Sequence, residues 1–218
     1  IGLDSDSTTS KADLHFEYKE SGDGGYMNAA NDEKNFQFTG QHRSLPSSGE
    51  ISDFDGKEGM IVVADGTYNN ISTLESVATI NESLPRVELS STRNQKSVFG
   101  VVSEAEDPNE TIRKYVAGAF GTKIQKKDNR IVVNSLGEGA IWVSDINGML
   151  ENGDYITTCE IPGYGMRQDD DILHNYTVAK ITQDCMFDLE STDYDCKEVE
   201  HNGTIYKVAF VGCTYHCG

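Results

Sequence analysis

The densest set of chemically competent side chains lies in Phe38-Thr-Gly-Gln-His-Arg43. There an amide (Gln41), an imidazole (His42) and a guanidinium (Arg43) follow a glycine that permits close backbone approach. An imidazole can serve as general base near neutral pH. The amide and guanidinium could hold a developing oxyanion. Ser44, Ser47, Ser48 and Ser52 lie just downstream as candidate nucleophiles. A hydrogen-bonded turn at a strand end accounts for the same residues without chemistry.

Gln168-Asp-Asp-Asp171 places carboxylates beside His174, which suits a hard cation with oxygen ligands. No EF-hand spacing follows, so a solvated acidic loop is the competing reading. Cys213-Thr-Tyr-His-Cys217, with Cys185 and Cys196, groups soft ligands near the end of the chain. No paired Cys-x-x-Cys knuckles are present. A disulfide staple among the candidates Cys185, Cys196, Cys213 and Cys217 is at least as well supported, and the odd count of five, with Cys159, leaves at least one thiol free or shared between chains. Gly137-Glu-Gly139 and Gly163-Tyr-Gly165 lack the lysine and helix of a phosphate cradle and read as turns or bulges. Neither a metal nor a cofactor is expected.

Five sequons, at Asn70, Asn81, Asn109, Asn175 and Asn202, fit N-glycosylation and an oxidising compartment.

These residues sit among short strands. Leu14–Lys19 and Phe36–Thr39 alternate apolar and polar residues, and Met60–Ala64 is a continuous apolar run closed by Asp65-Gly66. Ser97–Ser103, Arg130–Val133, Ala140–Ser144, Tyr155–Thr158, Tyr176–Thr182 and Ile205–Val211 follow, punctuated by Gly137–Gly139, Asn147-Gly148 and Asn152-Gly153. Thr111–Ala119 is the best candidate for a short helix. The expected fold is mainly β: a compact multi-stranded domain over residues 34–218, with short turns and little helix. An extended N-terminal arm over residues 1–33 connects it to an upstream shaft.

The formal net charge of −18 opposes nucleic acid, whose phosphates demand a basic footprint. It opposes anionic membranes equally. No apolar run approaches the roughly 20 residues of a membrane-spanning helix.

Four blocks carry a resemblance: Phe38–Arg43; Val98-Phe-Gly-Val-Val-Ser103; Asn134–Val143 running on to Glu151–Thr158; and Ile161-Pro-Gly-Tyr-Gly-Met166 followed by His174–Lys180. The ending Ala209–Gly218 belongs with them. Together, over about residues 36–218, the chain resembles the intramolecular-chaperone autoproteolytic cleavage domain at the C-termini of phage tailspike and neck-appendage proteins. The variant it resembles occurs in large proteins of algal and other giant DNA viruses. The resemblance implies a module on the virion surface or outside the cell that trimerises, or polymerises as a fibre, and registers an upstream shaft of the same polypeptide. In the phage members the domain then cleaves itself off at an acid-bearing sequence. The corresponding stretch here, Thr39–Arg43, has no acid, and Ser52-Asp53-Phe54 is a partial echo. The assembly role therefore transfers better than the peptidase role. Host-surface or glycan recognition through Trp142 and the tyrosines is a third expectation.

Overall fold

The computed structural model describes residues 2–4, 13–15, 40–69, 84–105 and 130–217. It separates into two compact units, Ile1–Gln37 and Phe38–Gly218. The first contributes an antiparallel pair, β1 (Gly2–Asp4) with β2 (Asp13–His15), with Leu3 and Leu14 in register. The expected strand from Leu14 begins there. The expected strand Phe36–Thr39 and the helix Thr111–Ala119 lie outside the described residues.

The second unit is mainly β, a ten-stranded mixed sheet. Its strands are β3 (Gly40–Pro46), β4 (Ile61–Asn69), β5 (Leu84–Leu89), β6 (Val98–Ala105), β7 (Ile131–Ser144), β8 (Tyr155–Thr158), β9 (Gly165–Arg167), β10 (Thr177–Ile181), β11 (Asp195–His201) and β12 (Thr204–His216). The pairings close two circuits. The first runs β7–β3–β5–β4–β6 and back to β7, with only β3–β5 parallel. The second runs β12–β7–β9–β8–β10 and back to β12, with only β7–β9 parallel. The two have the same connectivity. In each, the first strand pairs antiparallel with the fifth and parallel with the third. A 3-10 turn links first strand to second in both, Ile51–Phe54 and Asp145–Asn147. The long β7 closes the first circuit with its N-terminal half and opens the second with its C-terminal half.

Burial explains why the apolar runs are continuous. Ile61, Val62 and Val63 are all buried, because both faces of β4 are covered. Successive strand residues point to opposite faces. Val62 therefore joins Val87, Val102, Ile131 and Val133 in one core, and Ile61 joins Ile141, Ile156, Val178 and Val211 in the other. A third cluster, Met60, Cys159, Ile161, Tyr164, Met166 and Val208, forms the seam between them. Backbone bonds reinforce it: Ile61 N–H to Gly163 O (2.7 Å), Trp142 N–H to Gly59 O (2.9 Å) and Gly163 N–H to Ser90 O (2.9 Å).

Three local expectations are corrected. Gly137-Glu-Gly139 does not separate two strands, since β7 runs through it. A side chain at Gly139 would collide with the Tyr215 ring, whose hydroxyl accepts from Ala140 N–H (3.1 Å) and donates to Ala140 O (2.8 Å). Asp65-Gly66 does not end its strand but forms an irregularity inside β4, between Ala64 and Tyr68. Strands β5 and β11 appear where the pattern is too polar to signal them. Among the described residues β11 pairs on one side only, with β12. Its Lys197, Glu198 and Glu200 are exposed, the charge pattern that discourages edge-to-edge pairing.

Candidate functional site

Strand β3 zips onto β7 with Gln41 opposite Asn134, His42 opposite Val133 and Arg43 opposite Val132. Consecutive strand residues diverge, so His42 and Arg43 are not brought together. His42 is exposed and its ring lies 5.7 Å from Phe99, tilted by 56°. Arg43 is buried, as is Ser44 beside it. His42 and Arg43, expected to act together, thus lie on opposite faces of the sheet.

The next turn holds a tighter constellation. Ser47 Oγ donates to Asp65 Oδ2 (2.7 Å), while Thr67 N–H and Thr67 Oγ1 both donate to Asp65 Oδ1 (2.7 and 2.6 Å). Arg86 Nε lies 3.8 Å from Asp65 Oδ2, and its Nη2 donates to Ser47 O. Burial pushes the Asp65 carboxyl up. The Thr67 and Ser47 hydroxyls, the Thr67 N–H and the Arg86 charge outweigh it and hold the pKa below its usual value. A carboxylate held low is a strong acceptor and a weak base. It ties together the end of β3, the irregular turn in β4 and β5. An open groove of about 290 Å³ adjoins it, lined by Ser47, Ser48, Asp53, Phe54, Glu88 and Leu89. Of this group only the serines stood out by type. The available signal for Asp65 and Thr67 was the Asp-Gly-Thr spacing, which favours a side-chain-to-backbone turn.

The acidic loop after β9 is locked internally. Gln168 is buried, and its Nε2 donates to Asp170 O, Asp170 Oδ1 and Ile172 O (3.0, 2.9 and 2.7 Å). Thr177 Oγ1 donates to Gln168 Oε1 (2.7 Å) and accepts from His174 N–H (2.9 Å). His174 Nε2 sits 3.0 Å from both Asp170 oxygens and stacks on Tyr176 at 4.5 Å. The His174 bond, the largest influence, lowers the Asp170 pKa. Among the described residues no three His, Cys, Asp or Glu side chains converge to hold a metal.

The expected disulfides are corrected: Cys159, Cys185, Cys196, Cys213 and Cys217 are all free. Cys213 lies on β12, which runs through His216. A strand rises about 3.3 Å per residue, placing Cys217 about 13 Å from Cys213, too far for a bridge. Cys185 and Cys196 face the same core cluster without bonding. Burial, with a lesser repulsion from Cys217, pushes the Cys213 thiol up to about 12, and burial does the same to Cys217. Such thiols are neither nucleophiles nor ready metal ligands at neutral pH.

Trp142 is half-buried at the seam. Phe210 lies 5.2 Å and Tyr164 6.2 Å from its ring, and the Lys197 ammonium sits 4.1 Å above it. Asn175 and Asn202 are both exposed, whereas Asn70, Asn81 and Asn109 lie outside the described residues. Comparison of the chain with protein-family models, curated proteins and solved structures returns no significant match.

Proposed function

We propose that this chain is the C-terminal assembly domain of a larger viral or extracellular fibre, and that it associates with copies of itself on the virion surface or outside the cell. The carrying observation is one end of the second circuit. Leu150 and Cys185 form an antiparallel bridge there, which places Met149 and Met186 as neighbours, 52% and 60% exposed. The β11–β12 hairpin projects beyond the same end, since β12 pairs with β7 only from Val208 opposite Ser144, and it carries Ile205, 65% exposed. Large apolar side chains held out on a rigid frame favour covering by a partner. The two fused circuits supply that frame, and the resemblance to shaft-registering domains points the same way.

Sedimentation velocity over the micromolar range tests this. A trimer or larger species is expected, and Met149→Glu with Met186→Glu should return it to monomer while leaving the circular dichroism unchanged. A wild-type chain that stays monomeric throughout refutes self-association by this domain.

A second reading, one-turnover self-cleavage, has the Ser47–Asp65 contact beside an open groove in its favour. It requires that the longer polypeptide release a discrete fragment and that Ser47→Ala or His42→Ala leave the precursor whole. Unchanged cleavage in both variants removes this reading.

A further inference from the structure

The two described sequons sit in opposite mechanical settings. N-glycosyl transfer joins the asparagine carboxamide nitrogen to the anomeric carbon of a lipid-pyrophosphate-linked oligosaccharide. The carbon–oxygen bond to pyrophosphate breaks, the lipid pyrophosphate departs, and the nitrogen's proton passes to a base of the transferase. The transferase must grip the threonine hydroxyl two residues on as well as the asparagine.

At Asn175 that grip is blocked. The asparagine is exposed, but Thr177 is 1% exposed, and its hydroxyl is engaged by both Gln168 Oε1 and His174 N–H. Freeing it breaks both bonds and lifts Thr177 from its place opposite Thr157 at the start of β10. At Asn202 the restraint is a single exposed contact, the carboxamide Nδ2 lying 3.0 Å from His201 Nε2. Asn202 (φ +52°) and Gly203 (φ +78°) form a two-residue hairpin turn, and Thr204 is exposed. The last rung, His201 opposite Thr204, belongs to a stretch of β12 that β7 does not reach. Opening that rung costs no core contact.

We propose that Asn202 is the sequon the folded protein offers for N-glycosylation, and that Asn175 can be modified only before its loop folds. A glycan at Asn202 then marks the mature surface, whereas one at Asn175 records that glycosylation outran folding. The inference draws its biological setting from the extracellular reading. The chemistry is separate from self-association, so a monomeric chain would leave it standing.

The test uses the whole unglycosylated chain with purified oligosaccharyltransferase and lipid-linked oligosaccharide, reading occupancy at each site by peptide mass spectrometry. Synthetic peptides spanning 168–182 and 196–210 give the unfolded rates. Asn202 in the folded chain should react within about tenfold of its peptide, and Asn175 at least about 100-fold more slowly than its own. Gln168→Ala, which unpins the loop, should restore reaction at Asn175 and leave Asn202 unchanged. The proposal is overturned by peptide-like reaction at Asn175 in the folded chain, by a folded chain inert at Asn202, or by refusal of both peptides.

Discussion

Gly59 is the point at which a single methyl group tests the seam. It adopts φ +82°, and an added Cβ would fall inside the surface of Phe210 Cε2 and 3.0 Å from Trp142 Cδ1. Gly59→Ala therefore meets two penalties. The left-handed backbone costs an L-residue about 1–2 kcal/mol. Overpacking a well-filled contact costs about 1–3 kcal/mol, since the Phe210 ring must shift from its tilted contact with Trp142. The sum is about 2–5 kcal/mol. Gly66→Ala separates the two contributions, because Gly66 (φ +90°) has nothing within 4 Å of an added Cβ. Its cost should be the backbone part alone, about 1–2 kcal/mol. Urea denaturation followed by fluorescence suits the comparison, because Trp142 is the one tryptophan in the chain and lies at the perturbed contact. Equal destabilisation by both substitutions, or an unchanged native emission spectrum for Gly59→Ala, would refute the packing of this seam.

Two further outcomes follow from the site geometry. Cys213 and Cys217 have folded pKa values raised from the ordinary 9.0 to about 12, so the unfolded chain ionises first. Their stabilisation is full below pH 9 and is lost as pH rises from there through about 12, amounting to about 1.4 kcal/mol per thiol by pH 10. Thermal melts across that range should show a shallower alkaline decline in the Cys213→Ala, Cys217→Ala double variant, and an unchanged slope would contradict the buried-thiol account. Gln168→Ala removes the bonds that hold the acidic loop and should cost about 1–3 kcal/mol. Amide exchange should accelerate over residues 169–177 and not in β7. Exchange accelerated across the whole domain would instead make Gln168 a general stability element.

The apolar strands were legible because burial on both faces writes itself into the sequence, as in Ile61-Val62-Val63. Tyr155–Thr158 was read to the residue, because turn pairs bracket it. Other elements depend on information the local pattern lacks. Strand β5, Leu84-Pro-Arg-Val-Glu-Leu89, carries a proline and two charges, yet it forms because Val87 fills the first core and Arg86 meets Asp65. The charges on β11 are those of an edge, so they hide the strand from any search for apolar alternation. The glycines of β7 read as a break, but Gly139 serves a ring 76 residues away in the chain (Tyr215). For the candidate site, residue type singled out His42 and Arg43, and only the pairing register could reveal that they diverge. Asp65 was visible as a turn residue with Thr67 beside it, while its other partners, Ser47 after β3 and Arg86 on β5, lie 18 and 21 residues away in the chain.

The double use of β7 also fixes the timetable of folding. The first circuit waits for Ile131–Asn134 to meet β3, some 90 residues earlier, and the second waits for β12, the last strand of the described chain. Contacts so distant in sequence make for slow folding, on the millisecond-to-second scale. Along an emerging nascent chain, the first circuit can close while the C-terminal half of β7 still lacks its partner. Until β12 arrives, Gly137–Ser144 presents an unpaired edge, and the pairing with β12 is what removes it.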